Sequence, residues 1–194
     1  MKYEIIPKPF KLEEKTGNFV FSYNTVIVLN EGCGSEEYFY AKLLSETVKS
    51  ETGITLKIEK GKENGGNEIV FERVEDDEKM PENVRTLIFQ EKCGSFKAPD
   101  AETEKYWRIR TESYELFITE KQIRVRARYS KGILYGVQTL RQLIGQCRMC
   151  LPALFIQDRP VLANRGFFHD ATRARIQKLS HYKALADKAS YYKL

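Results

Sequence analysis

An α+β fold, built on a mixed, largely antiparallel sheet with two helices packed on one face, is predicted by three stretches of this sequence. In the first, Tyr114, Leu116 and Ile118 alternate with Glu115 and Phe117, a polar Thr119-Glu120-Lys121-Gln122 turn follows, and Ile123, Val125 and Ala127 alternate with Arg124, Arg126 and Arg128. A period of two on both sides of a turn describes two antiparallel strands, each with one buried face. The second stretch follows at once. Ile133, Val137, Leu140 and Ile144 recur on one helical stripe, with Ser130 placed to cap the start and Gly145 to stop the end. Gly132 and Gly136 lie one turn apart in that helix. Each interior glycine costs about 1 kcal/mol against alanine, so the pair points to a close approach by backbone or a large aromatic ring. The third stretch is a helix over 35–52, with Ala41, Leu44 and Val48 on one stripe, Phe39 and Leu43 beside it, Ser35 as its cap and Gly53 as its stop.

The remaining elements are read in chain order. Residues 3–9 form a short strand or an arm, punctuated by Pro7 and Pro9, and 19–22 and 25–29 are strand-like with Tyr23-Asn24 as a turn between them. Residues 55–58 and 68–71 read as strands joined by a polar loop over 61–67. Residues 84–89 suit a strand, while the acidic run Glu75-Asp76-Asp77-Glu78 and the segment 94–104 suit solvated loops. Residues 107–110 lead into the central hairpin, and 151–156 give one more short strand, for about six or seven in all. Asp158-Arg159-Pro160 then punctuates the chain, which divides it into a domain over 1–160 and a segment over 161–194. That segment reads as a short strand over 164–170, followed by a helix capped by Ser180 with Tyr182, Leu185, Ala186 and Ala189 inward. One such βα unit cannot bury itself, because a parallel sheet needs further strands and covering helices.

Composition bounds the function classes. With 42% hydrophobic and 30% charged residues the chain is globular, and its net charge of +5 does not call for a polyanionic partner. No apolar run approaches the roughly 18–20 residues of a membrane span, and the N-terminus shows no secretory apolar region, so a cytoplasmic location without membrane contact is expected. Cys33, Cys93, Cys147 and Cys150 are too irregularly spaced for a disulfide framework.

The run Ser113-Tyr114-Glu115-Leu116-Phe117-Ile118-Thr119, then 123–127, then Gly132-Ile133-Leu134-Tyr135-Gly136-Val137-Gln138-Thr139-Leu140-Arg141-Gln142-Leu143 resembles the non-catalytic N-terminal domain of glycoside hydrolase family 20, the β-N-acetylhexosaminidases. Similar domains precede the barrels of O-GlcNAcase-like enzymes and α-glucuronidases. A second motif separates these: Arg165-Gly166 followed by Asp170-Ala171-Thr172-Arg173 is similar to the start of the family 20 catalytic (β/α)₈ barrel. The resemblance extends over nearly the whole chain and is poorest over about 72–105.

It implies that Arg173, with Asp170 beside it, contacts hydroxyls of a terminal sugar, a role suited to a guanidinium with five donors in a rigid fork. It also implies that the two helices face the barrel, with Leu134, Tyr135 and Leu143 as contact candidates. The family's paired Asp-Glu, in which the Glu is the general acid and the Asp orients the substrate's acetamido group, lies further along a barrel of about 200 residues or more. The 161–194 segment is only its beginning. The chain is thus expected to be the front end of a β-N-acetylhexosaminidase, inactive by itself and completed by a catalytic barrel, with N-acetylhexosamine-containing glycans as the parent's substrates. Alternatives are an interaction or carbohydrate-binding module, for which Trp107 is the sole tryptophan platform, and the front end of an O-GlcNAcase-like or α-glucuronidase enzyme.

Other chemistry-bearing residues read more plainly. His169 has no nucleophile or metal partner in sight, and His181 falls in the following helix. Cys147-Arg148-Met149-Cys150 follows a helix end, where redox cysteines are not activated, and lacks the four ligands of a structural zinc site. No metal or cofactor is expected. Arg124, Arg126 and Arg128 form a basic row, but outward positions of an amphipathic strand are polar in any case, and no nucleic-acid partner is expected.

Overall fold

The computed structural model describes residues 3–89, 97–170 and 176–194. Its strands are β1 (Lys11–Val20), β2 (Val26–Leu29), β3 (Lys57–Lys60), β4 (Glu68–Arg73), β5 (Tyr114–Ile118), β6 (Gln122–Ala127) and β7 (Cys150–Asp158). Interleaved with them are α1 (Ser35–Thr52) after β2, α2 (Glu82–Phe89) and α3 (Ala101–Glu112) after β4, α4 (Ser130–Cys147) after β6, and α5 (Leu179–Tyr191) after β7. The strands form one sheet of seven in the order β1-β7-β5-β6-β4-β2-β3. It is mixed: β1-β7, β7-β5 and β5-β6 are antiparallel, whereas β6-β4, β4-β2 and β2-β3 are parallel. The α1 crossover makes β2 and β3 parallel neighbours, as a connection through a helix requires.

The alternation in β5 and β6 sends Leu116, Ile118, Ile123 and Val125 to the face covered by α1 and α4, where they meet Ala41, Leu44, Val48, Ile133, Val137, Leu140 and Ile144 in one buried core. On the opposite face Val28 and Val70 pair across β2-β4 and are buried, Phe117 and Phe155 lie with ring centroids 4.8 Å apart across the β5-β7 pair, and Arg124 and Arg126 of β6 are polar. The two glycines of α4 set its distance from the sheet. A β-carbon on Gly132 would stand 2.4 Å from the Ser113 carbonyl oxygen and 2.7 Å from the Ala127 β-carbon, and one on Gly136 would stand 2.4 Å from Val125 Cγ1 and 3.1 Å from the Tyr114 ring.

Several expectations shift. The strand expected over 84–89 is helix α2, because Val84 and Ile88, four apart, both turn onto Trp107 in a small second core. β-Branched runs suit strand and helix alike, and here helical spacing meets a partner. The loop expected over 94–104 lies partly outside the described residues; its end is the start of α3, capped by Asp100, whose carboxylate accepts the Thr103 N–H at 2.9 Å. The N-caps of α1 and α4 are Gly34 and Tyr129, not Ser35 and Ser130. Gly145 does not stop α4, which runs on to Cys147 with Arg148 at φ 54° beyond it.

β1 and β2 lie at separate places in the sheet, not as a hairpin. Residues 3–9 are an arm: Gln142 exchanges hydrogen bonds with the N–H and C=O of Ile6 at 2.8 and 2.7 Å, and Gln146 does the same with Glu4. Residues 164–170 are not a strand, since they have no neighbouring strand with which to pair. Within α5, Tyr182, Leu185 and Ala189 are half-buried but Ala186 faces solvent.

A half-buried ion pair ties the start of α1 to the end of β4. Glu37 accepts the Gly34 N–H at 2.7 Å, returning to the helix start as a capping carboxylate does, and pairs with Arg73 at 2.8 Å. Burial alone would raise the Glu37 carboxyl, but these donors outweigh it and hold it below the ordinary glutamate value. A depressed carboxylate contributes stability above its unfolded value, near pH 4.3, and loses it as pH falls through the folded value. Urea midpoints should therefore be flat from pH 7 to about pH 5 and drop below about pH 4, with a shallower drop in Glu37→Gln.

The glycine geometry predicts opposite signs for one substitution in one helix. Gly132→Ala and Gly136→Ala should each cost about 1–3 kcal/mol by overpacking. Gly145→Ala, whose added carbon meets only the Tyr191 hydroxyl at 4.0 Å, should gain up to about 1 kcal/mol. Equilibrium unfolding of the three variants checks this.

Candidate functional site

The residues expected to contact sugar are Arg173 and Asp170. Arg173 lies outside the described residues. Asp170 sits on an exposed segment together with Gly166, which has no atom within 4 Å of where a β-carbon would stand. His169 is exposed and rests edge-on against Tyr182. Of the interface candidates, Leu143 belongs to the core and is withdrawn as a contact, Leu134 is half-buried, and Tyr135 is half-buried beneath the Arg165 guanidinium. Trp107 is buried against α2 and offers no exposed platform.

The basic row is engaged with carboxylates: Arg124 with Glu63 and Glu72, Arg126 with Glu72 and Glu115, Arg128 with Asp76 and Asp77. Among the described residues no group of three or more histidine, cysteine or acidic side chains is placed to hold a metal, and no helix is long and apolar enough to cross a membrane.

Chemistry instead concentrates where β5, β7 and the tail meet. Asp158 ends β7, and each of its carboxylate oxygens takes two donors. Oδ1 accepts the Phe10 N–H at 3.1 Å and the Arg159 N–H at 2.9 Å, while Oδ2 accepts the Tyr114 hydroxyl and the Lys193 ammonium, both at 2.9 Å. Tyr114 Oη in turn accepts from Lys193 at 2.9 Å and lies 2.5 Å from Thr139 Oγ1. With its own proton given to Asp158, Tyr114 receives the Thr139 proton, and its one donor and two acceptor sites are filled. Burial pushes the Tyr114 hydroxyl well above an ordinary tyrosine, and Asp158 adds to this. Burial draws Lys193 below an ordinary lysine, with Asp158 pulling the other way. Tyr114 is therefore a neutral hydrogen-bond hub.

Arg165 forms the second half of the site. Its Nε donates to the Lys193 carbonyl at 2.9 Å, Nη1 to the Leu162 carbonyl at 2.6 Å and Nη2 to Glu112 at 2.5 Å. Between the two halves lies a cavity of about 260 Å³ bordered by Pro7, Tyr135, Pro160, Val161 and Leu162. Sequence reasoning named Tyr114, Thr139, Asp158 and Arg165 for other reasons and missed Glu112 and Lys193. The bonds among these side chains span 25 to 79 residues and leave no local signal.

A chain with this seven-stranded mixed sheet, two covering helices and a charged seam to its tail can be compared with known proteins. Residues 2–159, well over half of the chain, match the model of "Glycosyl hydrolase family 20, domain 2". The chain belongs to this family. Family 20 relatives include a beta-hexosaminidase of Porphyromonas gingivalis, 26% identical over 180 residues that make up 87% of this chain and 19% of that protein. A beta-N-acetylhexosaminidase of Cellulomonas fimi is 33% identical over 86 residues, 43% of this chain and 17% of that one. Among solved structures, the family 20 enzyme of Streptomyces coelicolor A3(2) matches with a TM-score of 0.68 at 20% identity, over 97% of this chain and 33% of its own. The Streptomyces plicatus N-acetyl-beta-hexosaminidase matches with a TM-score of 0.71 at 19% identity, over 97% and 32%. The chain thus spans about a fifth of the curated relatives and a third of these solved structures, and it carries the fold of the family's domain 2.

Tyr114→Phe removes the hub of the buried cluster while keeping the ring under Gly136. It should cost about 1–3 kcal/mol, measured by urea unfolding, because Asp158, Thr139 and Lys193 each lose a partner. A change within the ordinary surface range of about 0.5 kcal/mol would show that the hydroxyl is not the hub.

Proposed function

We propose that this chain is the scaffold domain of a β-N-acetylhexosaminidase, over 1–160, followed over 161–194 by the first strand and helix of its catalytic barrel. The domain supports the barrel, and the parent enzyme removes terminal N-acetylhexosamine from glycans. The observation that carries this reading is the family match over 2–159 followed by a tail that exposes its apolar side chains. Val161 is 82% and Phe168 91% exposed, and Leu162, Phe167, Ile176 and Leu179 are exposed as well. A barrel strand flanked by neighbours and covered by helices would bury such residues. The solved relatives also support the substrate class, since one Streptomyces plicatus structure is described in complex with product GlcNAc.

Within that reading Arg173 binds sugar hydroxyls and Asp170 orients it. The 194-residue chain is inactive alone, because the general acid and the acetamido-orienting carboxylate belong to later barrel strands. Among the described residues Cys33, Cys147 and Cys150 are free thiols, in keeping with a reducing compartment.

The purified chain should not turn over a chromogenic N-acetylglucosaminide. A longer chain that includes the barrel should do so, and Arg173→Ala in it should lower kcat/KM by about 10- to 100-fold, the worth of one or two charged hydrogen bonds. Turnover by the 194-residue chain that survives repurification and disappears in Arg173→Ala would overturn the proposal.

A further inference from the structure

Family 20 membership does not say what joins the scaffold domain to the tail. Helix α5 has no buried residue, so apolar packing supplies little of its attachment. Its contacts with α4 are polar: Gln138 donates to Ser190 at 2.7 Å, Gln142 to the Tyr191 carbonyl at 3.0 Å, and Arg141 reaches Asp187 at 3.4 Å. Just beyond the helix the chain turns at Lys193, φ 62°, and this residue, 5% exposed, enters the sheet domain.

We propose that Lys193 and Arg165 form a two-point clamp that fixes α5 and the 164–170 segment on the scaffold domain. Lys193 is the joint. Its ammonium is held by Asp158 and Tyr114, on β7 and β5, and its carbonyl accepts from Arg165, whose other nitrogens hold Glu112 on α3 and the Leu162 carbonyl. One end of the tail is thereby tied to the other, and both are tied to the sheet. Asp170 lies five residues beyond Arg165 in the tied segment, so the clamp sets where the proposed sugar-contacting stretch departs from the scaffold. In this respect the inference rests on the function proposed above, and Lys193 and Arg165 are positioning residues.

The energetics favour a tie of this kind. Breaking a buried ion pair by removing one partner leaves an uncompensated charge and is far costlier than losing an exposed pair. The Lys193–Asp158 pair is buried on both sides, whereas Asp187, the partner of Arg141, is more than half exposed. The attachment of α5 should therefore depend on Lys193 and hardly on Asp187.

Hydrogen exchange of the full 194-residue chain tests this directly. Lys193→Met, similar in length but uncharged, should speed exchange of the α5 amides by about a hundredfold or more while the β5 and β6 amides keep their protection. Arg165→Gln should act in the same direction, and Asp187→Ala should change α5 by only a few-fold. The Lys193 ammonium should give a slowly exchanging ¹⁵N signal that disappears in Asp158→Asn. Unchanged α5 exchange in both Lys193→Met and Arg165→Gln would overturn the clamp. So would β5 and β6 amides exchanging as fast as α5 in both, which includes loss of the fold, because the contacts would then serve the core and not the tail. None of these readouts requires sugar turnover, so failure of the clamp and failure of the hydrolase reading remain distinguishable.

Discussion

The close seating of α4 on the sheet is the contact from which the other interfaces take their position. Two glycines one turn apart bring the helix backbone against the Ser113 carbonyl and the Tyr114 ring. With α4 at that distance, Ile133, Val137 and Leu140 reach the inward side chains of β5 and β6 and share one core with α1. The same seating points Thr139 at the Tyr114 hydroxyl and Gln142 at the backbone of Ile6. A helix displaced outward by one methyl group would keep much of its apolar contact but lose these directional bonds, because a hydrogen bond weakens within a few tenths of an ångström and a degraded angle.

Tyr114 connects that apolar seating to the charged seam. Its ring belongs to the core and its hydroxyl to the cluster with Asp158, Thr139 and Lys193. Burying a carboxylate and an ammonium in water's absence is unfavourable unless the remaining donors and acceptors are matched. Here Asp158 takes two backbone N–H groups in addition to the two side-chain donors, so the carboxylate is saturated. Saturation of this kind specifies one arrangement more than it adds stability. A shifted tail would leave an unpaired charge, whereas a shifted apolar contact would lose only area.

Legibility in the sequence followed the range of the interactions. The β5-turn-β6-α4 unit was readable because its pattern is local: alternation, a polar turn, a 3.6-residue stripe and two glycines whose cost demanded a reason. The two long helices and the mixed sheet were readable on the same grounds. Helix α2 was not, since Val84 and Ile88 become a helical pair only when Trp107 arrives to be covered. Asp100 and Thr103 did carry a capping signal for α3 that the charged surroundings obscured. The strand order was hidden too, because β1 reaches β7 across most of the chain. Lys193 gave no hint, being one lysine among many until the fold sets it beside Asp158. The Asp170 and Arg173 motif was visible only through resemblance, because no local periodicity or spacing marks it.

The tail shows why polar ties and apolar exposure occur together. Residues 164–170 pair with no strand and α5 buries none of its side chains, so little of the tail's apolar surface is taken out of water by the domain it follows. Val161, Leu162, Phe167, Phe168, Ile176 and Leu179 are accordingly exposed. Attachment through area would need a matching apolar patch on α4, yet the α4 face toward α5 presents Gln138, Arg141 and Gln142. These side chains recognise a helix by direction and register, with little gain from area. Such an interface leaves the apolar side of the tail open to solvent without weakening its hold on α4. Polar contacts therefore decide where the tail sits on the domain, and its apolar side chains have little part in that choice.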